Sequence, residues 1–226
     1  MIKIAQLASY DVNVGDNIAT LNIRRKLDRL FDNKIRWESV NILPFFNVRH
    51  DIEFCKRSFK KISNNNDLLI VGGGGLIEGD YKFQTRYKLP FNREILSVID
   101  IPIVSFGVGV NYFRNRNRIV PEGLQNLKQF IDHCKLFSVR NDGSYEILMN
   151  FYNDPKIQEV PDPGLLFGIE MDRKESIDKG FFQPAWNGGA DIIRGRDLNE
   201  VNINKISKIV ESHNLSVIPH CSKDYK

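Results

Sequence analysis

The stretch Asp67-Leu68-Leu69-Ile70-Val71-Gly72-Gly73-Gly74-Gly75-Leu76-Ile77 constrains this chain more than any other. A four-residue apolar run, opened by Asp67, enters four consecutive glycines and leaves through a second apolar pair. An apolar run of that length without polar alternation reads as a strand buried on both faces, which belongs in a parallel sheet. The glycines come where that strand should end. Glycine loses more conformational freedom on ordering than any other residue, so loop-making alone is a poor reason for four of them. Two readings remain: a tight strand-to-helix turn, or a place where bare backbone N–H groups approach an anion at the carboxyl end of a strand.

The rest of the chain supplies the sheet. Ile2 to Leu7 reads as a strand, and a helix follows from near Asn17 with Ile23, Leu27, Leu30 and Phe31 on one face and Asp16 or Asn17 as its N-cap. Ile35 to Val40 is the next strand, and residues 51–62 read as a helix whose lysines and arginine form a solvated face. Residues 76–90 read as an irregular loop, either exposed or covering a site, followed by a short helix over about 91–99. The strand Ile103 to Phe106 ends in Gly107-Val108-Gly109-Val110-Asn111, and a helix runs from Pro121 to Cys134 with proline in its first turn. Leu136 to Val139 runs into Arg140-Asn141-Asp142-Gly143-Ser144, a helix passes through Ile147, Leu148 and Phe151, and Ile157 to Val160 leads to Asp162-Pro163-Gly164.

Strands and helices alternate, which predicts an α/β fold with a doubly wound, Rossmann-like parallel sheet over residues 1–168. Residues 169–226 read as the start of a second α/β domain, expected to be incomplete, with strands at Phe181 to Trp186 and Leu215 to Ile218 and a helix near 200–213.

Composition narrows the class. With 42% apolar residues in 226, the chain can bury a core, and no run approaches the roughly 20 apolar residues of a membrane span. Met1-Ile2-Lys3-Ile4-Ala5 enters a strand directly, so a cytoplasmic protein is expected. A net charge of +4 is too slight to argue for nucleic acid. Cys55, Cys134 and Cys221 have no metal-ligand spacing and read as buried or bystander thiols, and no metal is expected.

In an open α/β sheet the carboxyl ends of the strands share one edge, and ligands bind there. The residues expected on that edge are Asn13, Gly15 and Asp16; Gly73, Gly74 and Gly75; Gly107 and Gly109; and Arg140, Asn141 and Ser144. Glycines give close approach, helix N-termini give partial positive charge, and Arg140 gives a planar fork for carboxylate or phosphate. Common anion motifs are absent: the dinucleotide fingerprint is not completed at Ile77, and Asp80 stands where a P-loop would carry its lysine. Among the histidines, His133 reads as structural, and His220, at a strand end, is the acid/base candidate.

Five segments, in order, resemble the polysaccharide pyruvyl transferase family: Asn13-Val14-Gly15-Asp16-Asn17, Asp67 to Leu76, Ile103 to Asn111, Ser138 to Ser144, and Asp162-Pro163. The resemblance covers about residues 1–165. It implies a GT-B-like architecture of two Rossmann-like domains, and an enzyme that moves the enolpyruvyl part of phosphoenolpyruvate onto sugar hydroxyls as a ketal in surface-polysaccharide synthesis. Phosphoenolpyruvate is then the donor substrate, with no further cofactor, and a sugar or glycan is the acceptor. On that reading Arg140 would hold one anionic group of the donor, the glycine turns would let amides reach the other, and Asp16 would orient the acceptor or cap its helix. Asn141 stands where the family carries aspartate, leaving open what holds Arg140. The family's later histidine- and arginine-containing segment has no match, and His220 is not carried over as that histidine. A GT-B-type nucleotide-sugar transferase and a non-catalytic binding remnant are the competing readings, and an open second domain favours a homo-oligomer.

Overall fold

The computed structural model describes residues 1–10, 14–47, 51–79, 82–111 and 119–167, together with 181–182, 207–208, 211–212 and 216–217. The elements run β1 (Ile2–Ala8), α1 (Val14–Leu30), β2 (Ile35–Asn41), α2 (Leu43–Asn47), α3 (Ile52–Asn65), β3 (Leu68–Ile77), α4 (Arg93–Leu96), β4 (Ile103–Val110), α5 (Pro121–His133), β5 (Leu136–Arg140), α6 (Ser144–Tyr152) and β6 (Ile157–Val160), closed by a 3-10 turn at Pro163–Phe167. The strands form a 6-stranded sheet in the order β2-β1-β3-β4-β5-β6, every pair parallel.

That order fixes where a ligand can reach the sheet. From β1 the chain winds outward to β2, then crosses back over β1 to β3 and winds the other way through β6. The reversal falls between β1 and β3, where successive connections leave on opposite faces and a crevice opens at the carboxyl ends.

Alternation along the strands sorts the two faces. Ala5 and Leu7 of β1, Leu69 and Val71 of β3, and Phe137 and Val139 of β5 join one core with Phe59 of α3, Leu96 of α4, Phe130 of α5 and Leu148 of α6. Rings run through it from Phe45 to Phe59, Phe91, Phe130 and Phe137, with neighbouring centroids 5.1, 5.1, 4.4 and 5.9 Å apart. Gln6, between Ala5 and Leu7, turns the other way and accepts a 2.6 Å bond from Arg24 Nε of α1. Among the described helices α1 therefore stands alone on the second face.

Cys55 and Cys134 are free thiols inside this core. Burial raises their pKa from the ordinary 9.0 to about 11 and about 12. In a Cys221→Ser variant at pH 8 both should resist a thiol reagent until the chain unfolds, because the reactive thiolate is scarce. The sign is fixed by linkage: from pH 9 upward the unfolded chain loses these protons first, so the thiols' contribution to stability falls as pH rises. Rapid labelling of the native chain would contradict the burial.

The glycine run departs from expectation. β3 does not end at Gly72 but continues through all four glycines to Ile77, and β4 likewise continues through Gly107 and Gly109 to Val110. Backbone pairing carries on where side chains stop: Gly72 lies opposite Phe106 and Gly74 opposite Val108. The register slips between Gly74 and Ile77, and again between β4 and β5 after Ser105. At the slips Gly73, Gly74 and Gly107 take φ of 95°, 141° and 59°, in the region that glycine alone enters readily. The first helix also starts earlier than its sequence suggests, which puts Asp16 inside the first turn of α1 and past the cap position.

The chain divides into two compact units, Met1–Asp11 with Gly15–Glu170 and Val12–Val14 with Met171–Lys226. In the second, strands β7 (Phe181–Phe182) and β8 (Ser216–Val217) pair in parallel. Among the described residues no helix is long and apolar enough to cross a membrane.

Candidate active site at the carboxyl edge of the sheet

Each glycine of the edge leaves room for another part of the same unit. A methyl group on Gly73 would meet the Thr20 backbone of α1 at 3.1 Å, and one on Gly74 would come within 2.7 Å of the Asp16 carboxylate carbon. On Gly75 it would come within 2.7 Å of the Asn111 amide carbon, on Gly107 within 2.5 Å of the Pro163 ring, and on Gly109 within 2.6 Å of the Arg140 guanidinium carbon. The glycines are therefore less a cradle of bare amides than a floor stripped of side chains. Across it lie Asp16, Asn111 and Arg140, from the start of α1 and the ends of β4 and β5.

Each is held differently. Asp16 sits in the first turn of a 17-residue helix, where partial positive charge favours a carboxylate. Asn111 is pinned twice: its Nδ2 donates to Gly75 O and its backbone N to Ile77 O, both at 2.7 Å. Arg140 is clamped between two carboxylates. Its Nε donates to Asp142 Oδ2 at 2.5 Å and its Nη1 to Asp162 Oδ2 at 3.4 Å. Its side chain is 22% exposed, so the guanidinium is neither sealed off nor loose.

The fork expected to be available for a ligand is thus partly occupied by the protein. The question raised by Asn141 also has an answer, because Asp142, one residue later, holds Arg140. Asn141 serves elsewhere, its Oδ1 accepting from Asp162 N at 3.1 Å. Ser144 is buried and committed: its hydroxyl donates to Asp142 Oδ1 and accepts from Val110 N at 2.7 Å. It ties the end of β4 to the start of α6, which sets the height of Arg140 above Gly109. Asp162 also caps the turn after β6, accepting from Gly164 N at 2.7 Å, and Asn22 of α1 donates to Pro163 O at 3.0 Å.

The described residues of the loop after β3 are packed in place. Its Lys88 ammonium pairs with buried Glu78, Lys88 N donates to Glu78 O at 2.9 Å, and the Tyr87 hydroxyl donates to Phe91 O at 2.9 Å. Phe83, Thr85, Tyr87 and Leu89 are all buried.

Asp16, Gly73, Gly74, Gly75, Gly107, Gly109, Arg140, Asn141 and Ser144 thus belong to one edge, with Gly15 beside Asp16. Asn13 and His220 lie outside the described residues. His133 closes α5 at the opposite, amino edge, beside an open hollow of about 550 Å³ that Arg93, Gln129 and Asp132 also line. Burial, then Lys156 and Lys135, lower its pKa, and its place at the opposite edge keeps it away from this site. Asn111, Asp142 and Asp162 stood in sequence inside family-like segments but were given no role, and nothing in the sequence paired Glu78 with Lys88.

A parallel sheet wound both ways from its first strand, with Asp16 at the switch point and Arg140 further along the same glycine-floored edge, defines a Rossmann-like α/β protein. A solved structure shares the fold: the UDP-GlcNAc 2-epimerase of Methanocaldococcus jannaschii is similar with a TM-score of 0.50 at 13% identity, over 97% of this chain and 65% of that one. The likeness carries a GT-B-like fold and nothing finer, and this chain spans less than two thirds of that protein's length. The polysaccharide pyruvyl transferase family model matches residues 13–224, and the chain belongs to that family of transferases. No curated protein matches it significantly.

Proposed function

We propose that this protein transfers the pyruvyl part of phosphoenolpyruvate to a pair of sugar hydroxyls, forming a cyclic ketal in surface-polysaccharide synthesis. One observation supports this best: a chain of this family sets an arginine and a carboxylate, Arg140 and Asp16, over glycine-stripped strands on one sheet edge. The donor carries a carboxylate and a phosphate, and a guanidinium is the side chain that pairs with either in two bonds.

In the reaction a proton goes to the methylene carbon of the donor, and the adjacent carbon gains oxocarbenium character. One sugar hydroxyl adds there, the C–O bond to phosphate breaks, and the second hydroxyl closes the ring. Two hydroxyl protons are released, balancing the one taken by carbon and the one taken by phosphate. Arg140 orients the anionic donor, and Asp16 accepts a proton from an attacking hydroxyl.

The test is phosphate release from phosphoenolpyruvate with a panel of sugars bearing neighbouring hydroxyls, and mass spectrometry of the acceptor. Acceptor-dependent phosphate release with a pyruvate ketal on the sugar supports the reading. Turnover of a UDP- or GDP-sugar instead would replace it with glycosyl transfer.

A further inference from the structure

The Arg140 clamp is asymmetric, and the asymmetry has a direction. Asp142 is committed on both oxygens: Oδ2 takes Arg140 Nε at 2.5 Å, and Oδ1 takes the backbone N–H of Ser144 at 3.2 Å together with its hydroxyl. Ser144 in turn is locked to Val110 N, so Asp142 cannot leave without disturbing two elements. Asp162 is committed on one oxygen alone. Its Oδ1 caps Gly164 N at 2.7 Å, while its Oδ2 reaches Arg140 Nη1 at 3.4 Å, near the limit of a hydrogen bond. The side chain of Asp162 is 31% exposed, so water can take over that oxygen.

We infer that Asp162 is a resident anion, occupying the ligand-binding side of Arg140 until a carboxylate or phosphate displaces it, while Asp142 is the positioning residue that keeps the guanidinium aimed. The inference rests on the proposed donor reading for the identity of the ligand, but the exchange itself needs only a small anion. With both aspartates ionised, Arg140, Asp142 and Asp162 together carry one excess negative charge. That charge opposes any incoming anion until Asp162 gives way. Opposite signs follow for two similar substitutions. Asp162→Asn keeps the turn cap through Oδ1 and removes the competing charge. Asp142→Asn keeps the Ser144 contacts but turns a donor toward Arg140 Nε.

The experiment is calorimetric titration of the wild type, Asp162→Asn, Asp162→Glu and Asp142→Asn with phosphoenolpyruvate, and separately with inorganic phosphate and with pyruvate, with melting temperatures recorded alongside. Asp162→Asn should bind phosphoenolpyruvate about two- to fivefold tighter, the range of one partly exposed ion pair. Asp162→Glu, which keeps the competing charge, should show no gain. Asp142→Asn should bind about tenfold weaker or worse through misplacement of the guanidinium, at an unchanged melting temperature. Unchanged or weaker binding by Asp162→Asn would overturn the inference. If phosphate or pyruvate binds in this order and phosphoenolpyruvate does not, the exchange stands and the donor reading falls. If Asp162→Asn binds none of the three, both fall.

Discussion

Replacing Arg140 with alanine should abolish protection of the fold by phosphoenolpyruvate while leaving the fold itself nearly intact. Charge-assisted hydrogen bonds contribute about 1.5–3 kcal/mol each, so losing even one with the guanidinium should weaken donor binding roughly 10- to 150-fold. The structural cost should be small. Asp142 and Asp162 lose their cation, but their side chains are 34% and 31% exposed, so solvent relieves most of the repulsion. Partly exposed pairs of this kind contribute about 1 kcal/mol or less. Arg140→Lys should not restore binding, because an ammonium cannot span Asp142 and a ligand in one plane. Thermal shift with and without phosphoenolpyruvate checks both halves. A variant that keeps ligand protection would place the donor elsewhere.

The second large effect is on folding. Gly73→Ala should cost about 2–5 kcal/mol, combining the strain of an L-residue at positive φ with overpacking against the backbone of α1. The residue has φ of 95°, and its added methyl would stand 3.1 Å from Thr20 Cα, which cannot yield without moving the helix. The melting temperature should fall by about 5–15 °C. Gly143→Ala isolates the strain alone, because φ there is 91° but no atom lies within 4 Å of an added methyl. It should cost about 1 kcal/mol. Equal losses in the two variants would show that helix packing on the glycine floor contributes nothing.

These two predictions mark what the sequence could and could not carry. The parallel sheet was legible because Leu68 to Val71, Ile103 to Phe106 and Ile157 to Val160 are short strand runs separated by helical periodicity. The edge was legible too, since Arg140 and the glycines follow strand runs directly. What Gly72 to Gly75 do was not legible. Sequence marks a missing side chain, but not which neighbour fills the space, and the neighbours here come from residues 16, 20, 106 and 111, far away in sequence. The same limit hid the clamp on Arg140. Asp142 and Asp162 stand in two separate family-like segments, and only the β5–β6 pairing of Arg140 with Val160 brings them together. The bond that Ser144 accepts from Val110 was hidden for the same reason, because that partner lies on another strand.

The donor should bind on the carboxyl edge of β3, β4 and β5, over the glycine floor. Crystals of the chain grown with phosphoenolpyruvate test it most directly. An anionic group of the donor should lie against Arg140 above Gly109, with the Asp162 carboxylate turned away and Asp142 unmoved. Donor density at any other place, with Arg140 still paired to both aspartates, would contradict it.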